Sequence, residues 1–156
     1  MKQQDGFPEL QELLRKQGQS VLGSAVDDKQ KFLAAQAALT GVQVIFYTRD
    51  DDKDGDTWLE CWINMAGERE AAYNQTYGHF DDWSTHVLYL TPKSNVMRKS
   101  DIPGSWLQTR IRPNGNDTWR FTCDCTLYFS DGSIHQKRFG DPTTLDQGAR
   151  QSNKYL

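Results

Sequence analysis

Residues 106–139 read WLQTRIRPNGNDTWRFTCDCTLYFSDGSIHQKRF, and the middle of this stretch decides the fold. Trp119, Phe121, Cys123, Cys125, Leu127 and Phe129 are apolar at every odd position, while Arg120, Thr122, Asp124, Thr126 and Tyr128 fill the even ones. Successive side chains of extended backbone point to opposite sides. Strict alternation is therefore the pattern of an antiparallel strand with one face in a core. Asn114-Gly115-Asn116-Asp117 before the run and Ser130-Asp131-Gly132-Ser133 after it carry turn chemistry. The stretch is expected to be a three-strand meander.

Upstream, Val42 to Arg49 is rich in β-branched and aromatic residues and reads as a strand. Thr57 to Met65 reads as its hairpin partner across the acidic loop Asp50–Asp56. In that partner Leu59, Cys61, Ile63 and Met65 share one face, and Trp58, Glu60, Trp62 and Asn64 the other. Ala66-Gly67 turns into a third strand through Tyr73, or into a short helix over Glu68–Tyr73. His86–Leu90 reads as a strand or as the end of a helix begun near Asp81, and Pro92 to Gly104 as a loop.

Nearer the start, Leu10, Leu13, Leu14 and Val21 fit an amphipathic helix opened by Pro8 and ended by Gly18 or Gly23. A second helix is expected from Asp27, with Gln30 completing a capping box, to Leu39, with Phe32, Ala35 and Leu39 on one face. After Asp141-Pro142 the chain is polar, with a short helix around Thr144–Arg150. The expected fold is a single α+β domain. Two N-terminal helices over about 8–40 pack on a mainly antiparallel sheet over about 42–139, and 140–156 is a polar tail.

Composition narrows the class. At 156 residues, 37% hydrophobic and 25% charged, the chain has apolar material for one core. No run approaches the roughly 20 apolar residues of a membrane span, and Met1 to Pro8 has no apolar segment of a secretory signal. Three cysteines without an export signal point to reduced thiols in the cytoplasm. Residues 1–92 hold 8 Lys and Arg against 15 Asp and Glu, a charge of −7; residues 93–156 hold 10 against 6, a charge of +4. Neither half is basic enough to make nucleic acid the default partner.

The sequence Asp50-Asp51-Asp52-Lys53-Asp54-Gly55-Asp56 matches the D-x-D-x-D-G opening of a calcium loop, with Asp50, Asp52 and Asp54 as the ligands. Loop position 12, where a bidentate Glu belongs, is Cys61, and Glu60 is one residue early. The same stretch also fits a solvated hairpin tip, or an acidic docking loop for a basic partner. Cys123 and Cys125, with Cys61 and one of His79, His86 and His135, could supply zinc ligands. Their register with Trp119, Phe121 and Leu127 instead makes them core thiols. No nucleophile elbow, phosphate loop or H-E-x-x-H is present. His79, with Asp81 and Asp82 near it, and His86 are the candidate acid–base groups of a small hydrolase or nuclease.

Trp58 and Trp62 lie opposite the apolar stripe of their strand, and Trp106, Gln108, Arg110 and Arg112 lie opposite Leu107, Thr109 and Ile111. Tryptophan, tyrosine and arginine on the non-core side of a sheet are the residue types that dominate interface hot spots. Equally, other segments could cover that face as a second core layer, or the sheet could curl around a ligand.

The pieces Leu10–Leu14, Ile45-Phe46-Tyr47, Trp119 and Leu127-Tyr128-Phe129-Ser130-Asp131-Gly132 resemble the bacterial YezG-like immunity family, which has a leading helix, an F-Y strand and a late W…L-Y-x-x-D-G hairpin. The resemblance implies a non-enzymatic, cofactor-free cytoplasmic inhibitor that neutralises a cognate toxin domain, such as a basic nuclease, by stoichiometric contact. The expected contact residues are Asp50, Asp52, Asp54, Asp56, Glu60, Trp58, Trp62, Trp106, Arg110, Arg112 and Tyr128. The acidic residues would steer the partner and the aromatic ones anchor it. Helices before long antiparallel strands also look like the cone of NTF2-like proteins, in which Trp58, Trp62, Trp106, Arg110 and Tyr128 would line a small-molecule cavity. A calcium-stabilised module is the third expectation.

Overall fold

The computed structural model describes residues 8–156, and within the helix the side chains at 12, 15–17, 23 and 25–35. The expectations for Met1–Phe7 and for the side chains of Leu10, Leu13, Leu14 and Val21 lie outside the described residues. The chain divides into a first unit ending at Ala35 and a second, Gln36–Leu156.

The first unit holds one helix, α1 (Pro8–Ala35), where two were expected. It runs through both Gly18 and Gly23. A glycine inside a helix costs about 1 kcal/mol relative to alanine, too little to end a run of good helix formers. Asp27 therefore lies mid-helix and caps nothing. Leu39, assigned to a second helix, instead opens the first strand.

The second unit is almost entirely antiparallel sheet. Its strands are β1 (Leu39–Thr48), β2 (Trp58–Met65), β3 (Arg69–Tyr77), β4 (Thr85–Pro92), β5 (Trp106–Arg112), β6 (Trp119–Phe129), β7 (Ile134–Leu145) and β8 (Gln151–Tyr155). They form one nearly closed, barrel-like sheet in the order β7-β6-β1-β4-β3-β2-β5-β8. This replaces the expected α+β layering of helices on a sheet. The β3–β4 join is short, Ala72 opposite Pro92 and Tyr73 opposite Thr91. At the two edges, the Lys154 ammonium of β8 lies 5.5 Å from the Phe139 ring of β7.

Three expected connections are corrected. The 106–139 stretch is not a meander: β6 pairs with β7 across the Ser130–Ser133 turn, but its other neighbour is β1, and β5 lies between β2 and β8. Likewise β1 and β2 are not a hairpin, because β1 pairs with β4 and β6 while β2 pairs with β3 and β5. The polar tail is not a tail. Residues up to Leu145 extend β7, and 151–155 add β8 along β5. Alternation fixes which side of a strand meets the core, but any strand with that alternation can sit beside it.

The inward faces build a single core. Phe46, Leu59, Ile63, Leu107, Ile111, Trp119, Phe121 and Leu127 are buried in it, together with Cys61, Cys123 and Cys125. Trp119 stacks on Phe121 at 4.0 Å and meets Phe46 at 5.2 Å and Phe80 at 5.6 Å. Its indole N–H donates to Thr48 Oγ1 at 3.2 Å, so its one polar atom is satisfied inside. Burial pushes the Cys123 thiol up to about 12, and raises those of Cys61 and Cys125 in the same direction.

Candidate functional site

The outer face of β3, β2 and β5 is built in cross-strand rows. Tyr77, Trp58 and Arg112 form the first, Gln75, Glu60 and Arg110 the second, and Tyr73, Trp62 and Gln108 the third. Asn64 and Trp106 follow, with Tyr155 of β8 beyond. Period-two alternation puts all of them on the side opposite Leu59, Cys61 and Ile63. Six of the eleven expected contact residues, Trp58, Glu60, Trp62, Trp106, Arg110 and Arg112, are thus brought onto one surface.

Its centre is Glu60, only 3% exposed although it faces outward. Arg110 Nε and Arg112 Nε both donate to Glu60 Oε2, each at 2.8 Å. Tilted aromatic pairs flank the carboxylate, Trp58 with Tyr77 at 4.8 Å and Trp62 with Tyr73 at 5.2 Å. The Arg110 guanidinium also lies 4.8 Å from the Trp62 ring centroid. Desolvation, and then the Glu60 charge, raise the Tyr73 phenol above its ordinary value. One carboxylate facing two guanidinium groups leaves this face positive. Glu60 therefore does not belong to an anionic patch, as the sequence suggested, but supports a cationic, aromatic one. Both arginines use Nε for Glu60, and among the described residues their Nη groups donate no side-chain hydrogen bond.

The acidic loop enters this face from one end, since Asp56 and Thr57 lead directly into Trp58. It is not a free tip. Lys53 is fully buried, and its ammonium donates to the carbonyls of Asp54 at 3.1 Å, Thr57 at 2.6 Å and Gly78. Burial lowers the Lys53 pKa, against the opposing pull of Asp117, Asp54 and Asp56. Asp50 is engaged by Arg120 Nη1 at 3.0 Å, and Asp52 lies 3.2 Å from His79 Nε2. The donor atoms that converge are those of Asp52, Asp54 and His79, all within 4.8 Å of one another. The calcium set expected from the sequence, Asp50, Asp52 and Asp54, is not the set the fold assembles. What remains of the anionic patch is Asp52, Asp54 and Asp56, joined by Asp117. Repulsion from Asp117 is the largest cause of the raised Asp54 pKa.

No family model and no curated protein matches this chain.

Tyr128 stands apart from the other contact residues. It is on the outer side of β6, over Gly41, where an added Cβ would lie 3.4 Å from the tyrosine ring. In a curled-sheet cavity Trp58, Trp62, Trp106 and Arg110 would face inward; here they face outward, and Trp119, Phe46 and Phe121 fill the inside. Of the expected acid–base groups, the fold brings His79 and Asp81 together at 3.0 Å. His86 stacks on Phe80 at 3.8 Å, while His79 lies between Asp52 and Asp81. Tyr73, Tyr77 and Gln75 were missed as members of the outer face. Their alternation was legible, but only once 69–77 is taken as a strand.

Proposed function

We propose that this chain is a protein-binding module, most specifically a cytoplasmic immunity protein that neutralises a toxin domain by stoichiometric contact on the outer face of β3, β2 and β5. The carrying observation is the Glu60 carboxylate clamped by Arg110 and Arg112 between two aromatic pairs on the outside of the sheet. Trp58 and Tyr77 remain 41% and 52% exposed there, so large rigid side chains meet solvent around a desolvated charge cluster. That combination, a few aromatic and arginine anchors with a polar rim, is how interfaces concentrate binding energy. The Asp52–Asp56 loop supplies the rim at one end. No described helix is long and apolar enough to cross a membrane.

The experiment is co-expression with the products of neighbouring reading frames, scored for relief of toxicity and for a one-to-one complex. Trp58→Ala and Arg112→Glu should each weaken capture of the partner about tenfold or more while the chain stays folded. A complex indifferent to both substitutions would put the interface elsewhere.

A further inference from the structure

On the other half of the sheet, an outer cleft of about 360 Å³ is lined by Tyr47 and Arg49 at the end of β1, Thr122 and Asp124 of β6, and Arg138 and Gly140 of β7. A second cleft of about 320 Å³ is lined by Arg49, Asp50, Trp83, Arg120 and Pro142. Arg49 is common to both. We propose that this groove binds a small organic oxyanion carrying a planar ring, with the anionic group on Arg49 and the ring on Trp83.

The charges in the groove do not balance. Arg138 is paired with Asp124 at 3.1 Å, and Arg120 with Asp50 at 3.0 Å. Arg49 makes no ion pair among the described residues, and its Nε is buried without an acceptor. Two carboxylates thus answer two of three guanidinium groups, and the third, on a residue that lines both clefts, is left without one among the described residues. A planar guanidinium is matched by the paired oxygens of a carboxylate or a phosphate. The Arg49 backbone is already fixed. Its N–H donates to the Arg120 carbonyl at 2.8 Å, and its own carbonyl accepts from Trp83 N–H at 3.0 Å.

Trp83 supplies the second, independent sign. It is held at φ 60°, left-handed backbone that bulky side chains rarely adopt, and the residue is 69% exposed. Strain of this kind persists where surrounding structure imposes it, and it collects at ligand clamps. Here it presents an indole at the rim of the cleft that Arg49 lines. Each cleft by itself is of the size of a small-ligand site.

Isothermal titration with phenyl phosphate, benzoate, inorganic phosphate and phenol tests the assignment. Phenyl phosphate or benzoate should bind with Kd below about 1 mM, inorganic phosphate more weakly, and phenol not measurably. A preference between the first two identifies the oxyanion as phosphate or carboxylate. Arg49→Gln should weaken binding about tenfold or more. Trp83→Gly, which tolerates the left-handed backbone, should reduce phenyl phosphate to the level of inorganic phosphate. Circular dichroism checks each fold, and Arg49→Lys, which keeps the charge but loses the fork, replaces Arg49→Gln if that variant misfolds. Absence of saturable heat with both ring anions, or wild-type binding by the folded Arg49 variant, would overturn the proposal.

Discussion

Lys53 and Phe80 hold each other across the loop ends: Lys53 N–H donates to the Phe80 carbonyl at 3.1 Å, Phe80 N–H returns the bond at 2.9 Å, and the ammonium lies 4.8 Å from the ring centroid. The acidic loop therefore carries its own internal cation. An ammonium surrounded by carbonyl oxygens does for these dipoles what a metal ion does in a calcium loop. Lys53→Met should destabilise the protein by about 2 kcal/mol, because buried carbonyl groups lose their donor. Urea unfolding measures it, and an unchanged midpoint would show the ammonium to be structurally idle.

Calcium should not matter to stability. Lys53 already answers the loop carbonyls, and Asp50 is committed to Arg120. The melting temperature is expected to be the same in about 1 mM calcium and in chelator, within a degree or so. A rise of several degrees with calcium would mean that Asp52, Asp54 and His79 take the ion despite the lysine beside them.

Stability should fall on the alkaline side. The folded-state pKa values of Cys61, Cys123 and Cys125 are raised by burial, that of Cys123 from 9.0 to about 12. Above pH 9 the unfolded thiols ionise while the folded ones keep their protons. Their contribution is therefore full below the unfolded pKa and is lost as pH rises towards 12. The raised phenols of Tyr47 and Tyr73 add in the same sense, and the lowered Lys53 opposes. Denaturant midpoints between pH 8 and 11 should decline, less steeply in Cys123→Ala, and native thiols should resist an aqueous disulfide reagent at pH 8.

The two arginines at Glu60 should separate stability from binding. Arg112 has a side chain 62% exposed, so Arg112→Ala should cost less than about 1 kcal/mol of folding stability. Glu60→Ala removes the shared acceptor and should cost more, about 1–3 kcal/mol. Against a confirmed partner, Trp58→Ala should cost about 2 kcal/mol or more of affinity, mainly through faster dissociation. Parallel unfolding and surface-capture kinetics distinguish the two effects.

The acidic rim should act on the association rate. Reversing Asp52, Asp54 and Asp56 to Lys together should slow capture of a basic partner, and added salt should slow the wild type towards the same value. If ionic strength leaves association unchanged, the rim does no steering.

The sequence by itself determined the faces. Trp119 to Phe129 alternates so strictly that its odd side chains could only be a core wall, and Leu59–Met65 and Leu107–Ile111 follow the same rule. The same alternation sent Trp58, Trp62, Arg110 and Arg112 to the opposite side, which is why much of the candidate face was legible. Neighbours were not. Side-chain period is a property of one strand, whereas pairing depends on which strands share hydrogen bonds across loops of any length. β5 could therefore leave β6 for β2, and β1 could leave β2 for β4, without one side chain changing face. The tertiary structure also decided charge. Lys53 and Glu60 read as surface residues until three carbonyls gathered on one and two guanidinium groups on the other, and Arg49 became distinctive only when its neighbours Arg120 and Arg138 found carboxylates and it found none among the described residues. Burial and ionic partnership belong to the folded arrangement, because a charge is compensated only by groups that the fold brings to it.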